Sequence, residues 1–545
     1  MSMHDAIVIG AGPNGLVAAN MLVDRGWDVL LVEAQDEPGG AVKSAEVTEA
    51  GFITDLFSGF YPLAAASPHL RELKLEDWGL QWESSPVVVS HQHIDGRTAA
   101  IHRDLDATCA SLERFSPGDG ERWRALYAEW QAIEQPMVDA LFTPFPPVLP
   151  GARLASALGR DLLRFARLGV MPIRRFAEER FGGEGGGWLM AGNALHADLT
   201  PDMAGSTLFG LVMSGLAQTH GFPFPRGGAG RLTEALVARF ESRGGRLLCG
   251  NPADRIELAS GRASGVRLED GSSLSSRRAV LADVIATSLY GEMLPPSAVP
   301  ERLAEDMERF QLDNGTFKVN WALDGPIPWV GGESRLAATV HLAGGVDELS
   351  DTTAELVRRM IPSKPFLILG QYSMADPTRA PEGCESAWAY THVPQDPAGD
   401  AAGRLTGSWS DSEGREFAER MEARIEQVAP GFRKLIRSRR IQTPLDLEAA
   451  NSNLVGGAIN GGTAQIHQQL VFRPTPGMAG PATPVANLYL ASASAHPGGG
   501  VHGGPGANAA KAALNAHRRR RVGRIAGAAI AGSAAGVLAT RRLRG

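Results

Sequence analysis

The sequence predicts an α/β nucleotide-binding domain of the Rossmann-like kind joined to an α+β domain of mixed sheet and helix. Three observations carry this. The chain has 545 residues, more than one hydrophobic core usually organises, so two or more domains are expected. Residues 5–34 read as strand, glycine-rich turn, helix and strand in that order. Further along, stretches that alternate apolar and polar residues lie between amphipathic helical runs.

The opening stretch is "DAIVIGAGPNGLVAANMLVDRGWDVLLVEA". Ala6 to Ile9 form a β-branched run bounded by glycine, as in a buried parallel strand. Gly10, Gly12 and Gly15 follow in G-x-G-x-x-G spacing around Pro13 and Asn14, and Leu16 to Val23 reads as a helix. Gly10 permits the tight turn, Gly12 lets a pyrophosphate approach the backbone, and Gly15 lets helix and strand pack closely. The helix N-terminus then faces the phosphates. A second strand, Asp28 to Val32, ends at Glu33 and Ala34. A carboxylate there accepts both ribose hydroxyls and repels a 2′-phosphate. The ordered set of strand, helix, strand and acid makes this a dinucleotide site rather than a merely structural turn.

A second glycine pair, Gly39-Gly40, follows Glu33, and then come Ala41, Val42 and Lys43. Here the chain resembles the flavoprotein superfamily of amine oxidases and carotenoid desaturases, whose E-x-x-x-x-x-G-G continuation binds FAD. The arginine usual after the pair is absent, and Lys43 stands where it would make a phosphate contact. Residues 222–283 resemble the middle segment of the same FAD domain, a helix and then short strands with turns at Gly244-Gly245, Gly261 and Asp270-Gly271. The resemblance implies that the backbone of Ala253 meets the adenine. "NLYLASASAHPGGGVHGGPGANAAKAAL" resembles the flavin-closing motif, which implies cofactor contacts at Gly499, Gly500, Val501 and His502.

The likeness implies a discontinuous FAD-binding domain from residues 1–90, 225–300 and 455–516, with a substrate domain from 91–224 and 301–454. FAD is expected to be non-covalent, since no cysteine or histidine lies in a recognised attachment setting. The C-terminal motif resembles the phytoene-desaturase-related branch, including the group called pyridine nucleotide-disulfide oxidoreductase domain-containing protein 2. The disulfide in that name has no counterpart in the sequence, because Cys109, Cys249 and Cys384 are far apart and form no CxxC.

Two residues are candidates for catalysis. Lys318 lies in an alternating strand, "GTFKVNWALDGPIPW", and the resemblance implies a lysine that holds a water beside flavin N5; a solvent-facing strand lysine is the other reading. His196, in surroundings too apolar for a surface helix, is either a pocket residue or a satisfied core histidine. His341, His392 and His467 sit in strand-like contexts, and His496 flanks the C-terminal glycine turn. Asn460 and Gln465 are expected in a site wall. No histidine pair has metal-ligand spacing on a helix, and no G-x-S-x-G elbow occurs.

The resemblance implies hydride transfer from an apolar isoprenoid, carotenoid-like or lipid substrate to flavin; the electron acceptor stays open between oxygen, a quinone and another carrier. Amine oxidation, flavin-dependent isomerisation or saturation, and a non-catalytic FAD-stabilised protein-binding scaffold are the alternatives.

The net charge is −7, yet residues 517–545 carry eight arginines and no acid, so the body is more acidic than the whole. Nucleic acid is not an expected partner. Ile525 to Thr540 is weakly apolar and shorter than a span of roughly 20 residues. The arginine clusters around it suggest peripheral contact with an anionic membrane surface, against a disordered basic tail. With no secretory pattern at the N-terminus and few cysteines, a cytoplasmic location is expected, peripheral at the inner face of the membrane if the tail binds there.

Overall fold

The structure is a computed structural model that describes residues 3–520. The expected basic tail lies almost wholly outside the described residues.

The apolar run Met3–Ile9 buries six of its seven residues, with strands on both sides. It pairs in parallel with Val29–Val32 and with Ser273–Ala282. Arg246–Leu248 extends one edge, in parallel with Val29–Val32. The antiparallel hairpin of Ala253–Ala259 and Arg262–Leu268 extends the other. The short strand Leu488–Leu490 runs parallel to the last residues of Ser273–Ala282. Three separated chain segments thus make one seven-stranded sheet. The helices Pro13–Val23 and Gly230–Ser242 cover one face and bury Leu16, Leu22, Leu232 and Leu236.

A second seven-stranded sheet has the order Ile436–Gln442, Gly315–Leu323, Glu385–Val393, Leu367–Gln371, Ala337–Ala343, Val87–His93, Thr98–His102. All its pairs are antiparallel except that of Ala337–Ala343 with Val87–His93. Its second strand, Gly315–Leu323, lies between two others and is buried at all nine positions. Phe317, Val319, Trp321 and Leu323 pack on Phe417, Met421 and Ile425 of the helix Asp411–Val428. By the two-residue period, Thr316, Lys318 and Asn320 face the other way.

Helices Asp119–Phe142, Gly185–Leu195 and Ser206–His220 form the opposing layer through Trp123, Trp130, Trp188 and Leu216.

Two of the expected domain boundaries need correction. The strand Val87–His93 belongs wholly to the second sheet, so the boundary at residue 90 falls inside it. Leu303 and Met307 of the helix Glu301–Glu308 pack with the nucleotide-binding sheet, so the boundary at 300 is early. The helix Val148–Leu158 starts within the Pro-rich stretch after Phe142, with Pro150 in its first turn, where no intrahelical N–H is needed. The last helix runs over 504–520, past the expected domain end at 516. There His517 meets the ring of Trp27 edge-on, and Arg520 donates to Asn487.

Candidate functional site

A cavity of about 630 Å³ is lined from both domains. At the nucleotide-binding sheet its wall includes Gly10, Gly12, Pro13, Asn14, Glu33, Ala34, Gly40, Ala41 and Ala253. The C-terminal turn adds Gly499, Gly500 and Val501. The second domain contributes Phe209, Met213, Phe222, Ile368, Trp388 and Tyr390, together with His196 and Lys318.

The glycine turn is built by close approach. A Cβ on Gly15 would lie 1.9 Å from the Gly10 carbonyl oxygen, so strand and helix meet there without room for a side chain. A Cβ on Gly40, at φ +53°, would lie 3.0 Å from the Gly12 Cα. Gly15 and Gly39 shape this turn but do not line the cavity; the Gly39 N–H donates to the Ala11 carbonyl at 2.8 Å. The Glu33 carboxylate accepts from the Ala11 and Gln35 N–H groups at 2.7 and 2.9 Å, which fixes it at the end of its strand.

Asp283 was not singled out in the sequence. It ends the strand Ser273–Ala282 beside the opening strand, and its Oδ2 accepts from the Gly15 N–H at 2.9 Å. Burial pushes its carboxyl up to about 7, and nearby Glu33 adds to this against the Gly15 hydrogen bond. The signal was available: "AVLAD" is a buried β-run ending in an acid, as "VLLVE" is.

These residues fit FAD. The glycine turn is open where a side chain would fill it, the Asn14 Oδ1 and Asn460 Nδ2 are buried without protein partners, and both residues line the cavity. A Cβ on Gly499 would lie 2.6 Å from the Asn460 Oδ1, so the C-terminal turn presses on that asparagine. Arg473, fully buried, donates to the carbonyls of Asn460, Thr463 and Ala493 and ties this wall together.

Two further expected members do not line the cavity. The His502 ring meets the Gly499 carbonyl at 3.1 Å and the Gly504 N–H at 3.0 Å, so it braces the turn. Gln465 lies outside the wall as well. Lys43 lines the cavity while its Nζ donates to the Glu37 carbonyl at 2.8 Å.

Lys318 is not solvent-facing. It is 2 % exposed because both faces of its strand are covered. Its Nζ donates to the main-chain carbonyls of Asp55 and, at 3.0 Å, Phe57, and lies 5.0 Å above the Trp388 ring. Burial lowers its pKa to about 7, although the Asp55 charge works the other way. The Asp55 carboxylate is committed elsewhere: to the Arg379 guanidinium at 2.5 Å, the Tyr372 hydroxyl at 2.6 Å, the Ser44 hydroxyl at 2.7 Å and the Ala229 N–H at 2.8 Å. Arg379 is fully buried with its guanidinium 4.0 Å from the Tyr372 ring centroid, and nothing local in the sequence marks it.

His196 caps the C-terminus of the helix Gly185–Leu195, and its Nε2 lies 2.8 Å from the His341 Nε2. Burial and then the charge of His392 lower its pKa to about 3, so it stays neutral. His392 behaves oppositely. Burial disfavours its charge, but Asp198 at 3.0 Å outweighs that and holds its pKa above the ordinary value. His467 is bonded at 3.1 Å to Gln311.

Trp388 and Tyr390 alternate on one strand and stack with centroids 6.1 Å apart and planes at 23°. Nothing local in the sequence marks this pair. Among the described residues no cluster of three metal-ligating side chains occurs, the three cysteines are free, and no helix is long and apolar enough to cross a membrane.

Comparison with known proteins extends these observations. The family described as flavin containing amine oxidoreductase matches residues 14–364. The mouse (Mus musculus) pyridine nucleotide-disulfide oxidoreductase domain-containing protein 2 is 29% identical, over 93% of this chain and 92% of its own. A lycopene-forming phytoene desaturase of Pseudescherichia vulneris is 27% identical, over 92% and 96%. The solved structure of cyclohexylamine oxidase from Brevibacterium oxydans superposes with a TM-score of 0.60 at 18% identity, covering 95% of this chain and 100% of that one.

Proposed function

The chain belongs to the flavin containing amine oxidoreductases, an FAD-using oxidoreductase family, and we propose that it dehydrogenates an apolar, isoprenoid or lipid-like substrate. One observation carries this reading. Every carboxylate in the cavity wall (Glu33, Asp254, Glu269, Asp283 and Glu292) comes from the nucleotide-binding segments, while the second domain offers Phe209, Met213, Phe222 and Ile368. A wall without acids gives an ammonium no counter-charge and suits hydrocarbon. Similarity to a phytoene desaturase over nearly the full length supports the same class.

FAD, when bound, would supply a two-electron acceptor for the hydride of a C–H bond, with oxygen or a quinone as candidate final acceptors. Desaturation also releases a proton from the adjacent carbon. Lys318, with its pKa lowered to about 7, can hold that proton at Nζ. His196, lowered to about 3, is too weak a base; held by His341, it lines the pocket as a neutral ring. Gly12, Asn14, Glu33 and Ala253 would hold the nucleotide, and Asn460 and Gly499–Val501 the flavin side.

The stacked Trp388 and Tyr390 favour a second reading, amine oxidation, because flat paired rings suit a neutral amine. An anaerobic screen of polyenes, lipids and amines separates the two. Flavin absorbance should bleach with a polyene or isoprenoid, and mass spectrometry should show a product two hydrogens lighter. Bleaching by amines alone would overturn the reading in favour of amine oxidation. Product rearrangement without net oxidation would point to an isomerase. No response to any class would leave a scaffold.

A further inference from the structure

Large apolar side chains left in solvent are unevenly placed. Of sixteen among the described residues, nine fall in two short stretches, 148–170 and 466–472. The helices Val148–Leu158 and Leu162–Val170 have no fully buried residue. Each leans one half-buried face on the core, through Leu154 and Leu158 in the first and Phe165 and Leu168 in the second. The remaining apolar side chains point elsewhere: Leu163 is 83% exposed, Leu149 71% and Val148 70%.

The second stretch adds Ile466, Leu470, Val471 and Phe472. The two stretches adjoin: a Cβ on Gly205 would lie 3.7 Å from the Gly169 carbonyl and 3.8 Å from Ile466. A contiguous apolar surface of this kind marks a binding face.

Its charge names the partner. Residues 148–170 hold Arg153, Arg160, Arg164 and Arg167 against the single acid Asp161, in a chain whose net charge is −7. Arg167 is engaged by Glu179 at 2.6 Å, but Arg153 and Arg164 reach carboxylates only at 3.9 and 3.7 Å. Leucines interleaved with exposed arginines are the pattern of a helix lying in a lipid interface, apolar side chains inserted and guanidiniums among headgroups. A second copy docked about a two-fold axis would set these arginines against themselves.

We propose that the helix pair 148–170, with the adjoining 466–472 segment, docks the protein on an anionic lipid surface. The helix Ser206–His220, which starts beside this face, carries Phe209 and Met213 into the cavity wall. The docking face therefore adjoins the apolar part of the site, and an apolar substrate dissolved in lipid would have a short route between them. Docking is read from flotation and substrate oxidation from flavin bleaching, so either proposal can fail without the other.

The test uses the full-length holoprotein floated with vesicles of phosphatidylcholine and phosphatidylglycerol in equal parts, and with phosphatidylcholine alone. Wild type should float with the anionic vesicles at low salt and weakly with the neutral ones. The paired substitutions Leu149→Ser with Leu163→Ser, and Arg160→Glu with Arg164→Glu, should each weaken flotation by about ten-fold or more. FAD content and melting temperature should stay at the wild-type value, because all four side chains are exposed. The C-terminal residues are untouched in both variants, so undiminished flotation would place any binding elsewhere and overturn the proposal. Absence of wild-type flotation would overturn it too, as would a wild-type dimer in light scattering that the leucine variant splits.

Discussion

Lys318 donates to the main-chain carbonyl of Asp55 and not to its carboxylate, which Arg379 and Tyr372 already hold. The amine is thereby placed without a salt bridge of its own, in a setting that favours its neutral form.

Lys318→Met should therefore keep FAD while slowing flavin reduction by about 10²–10⁴-fold, the range of a lost general base. Wild-type reduction should rise with pH through about 7, where the amine loses its proton, and the variant should show no such rise. Stability follows the same group. Between about 7 and 10.5 the unfolded lysine binds a proton that the folded one has released, so wild-type stability should climb across that window. Urea melts of Lys318→Met should lack the climb. Unchanged rates in both half-reactions would return Lys318 to a packing role.

Two glycines of the opening turn should fail differently. A Cβ on Gly12 would sit 3.1 Å from the Asp283 Oδ2 and nowhere closer to protein, so Gly12→Val should fold yet purify colourless. Gly15→Ala must push aside the Gly10 carbonyl and should lower stability by about 1–3 kcal/mol or more. Flavin absorbance and thermal melting distinguish the cases, and a yellow Gly12→Val protein would refute the site.

Asp283→Asn tests the buried acid behind that turn. Its folded pKa of about 7 lies above the ordinary 3.8, so the folded state holds an extra proton between those values. The stability it contributes is lost as pH rises through about 7. Asparagine keeps an acceptor for the Gly15 N–H but carries no charge, and should flatten this loss. FAD should also dissociate more readily above pH 7 from wild type than from the variant, measured by recovery of flavin fluorescence. Parallel pH profiles would show that Asp283 stays ionised throughout.

Removing Arg379 leaves the Asp55 carboxylate buried beside neutral donors only. Arg379→Met should lower stability by about 3–5 kcal/mol, the usual consequence of orphaning a buried charge. Adding Asp55→Asn should recover part of that loss. Denaturant melts of both variants check it, and a single variant within about 0.5 kcal/mol of wild type would contradict the pairing.

What could be read in advance was whatever the chain states locally. Gly10, Gly12, Gly15 and Glu33 lie within one strand–helix–strand unit, and the two-residue period around Lys318 marked a strand. The same period did not reveal that both faces are covered, because one cover is supplied by the distant helix Asp411–Val428. Arg379 and Asp55 are 324 residues apart, and Asp283 and Gly15 are 268 apart; no local pattern ties such partners. His502 was assigned by its place in a motif, while its ring is held by its own turn. The stacking of Trp388 and Tyr390 depends on the strand's side-chain direction toward the cavity, which composition does not encode.

The short strand Leu488–Leu490, three residues long, completes the sheet that begins at Met3–Ile9. During synthesis the glycine fingerprint leaves the ribosome early, yet its sheet stays open until almost the whole chain has followed. Such long-range pairing is slow to close and leaves strand edges exposed in the meantime. Cofactor capture is consequently a late event, and a nascent chain stalled before residue 488 should be a client for chaperones and proteases rather than a partly loaded flavoprotein.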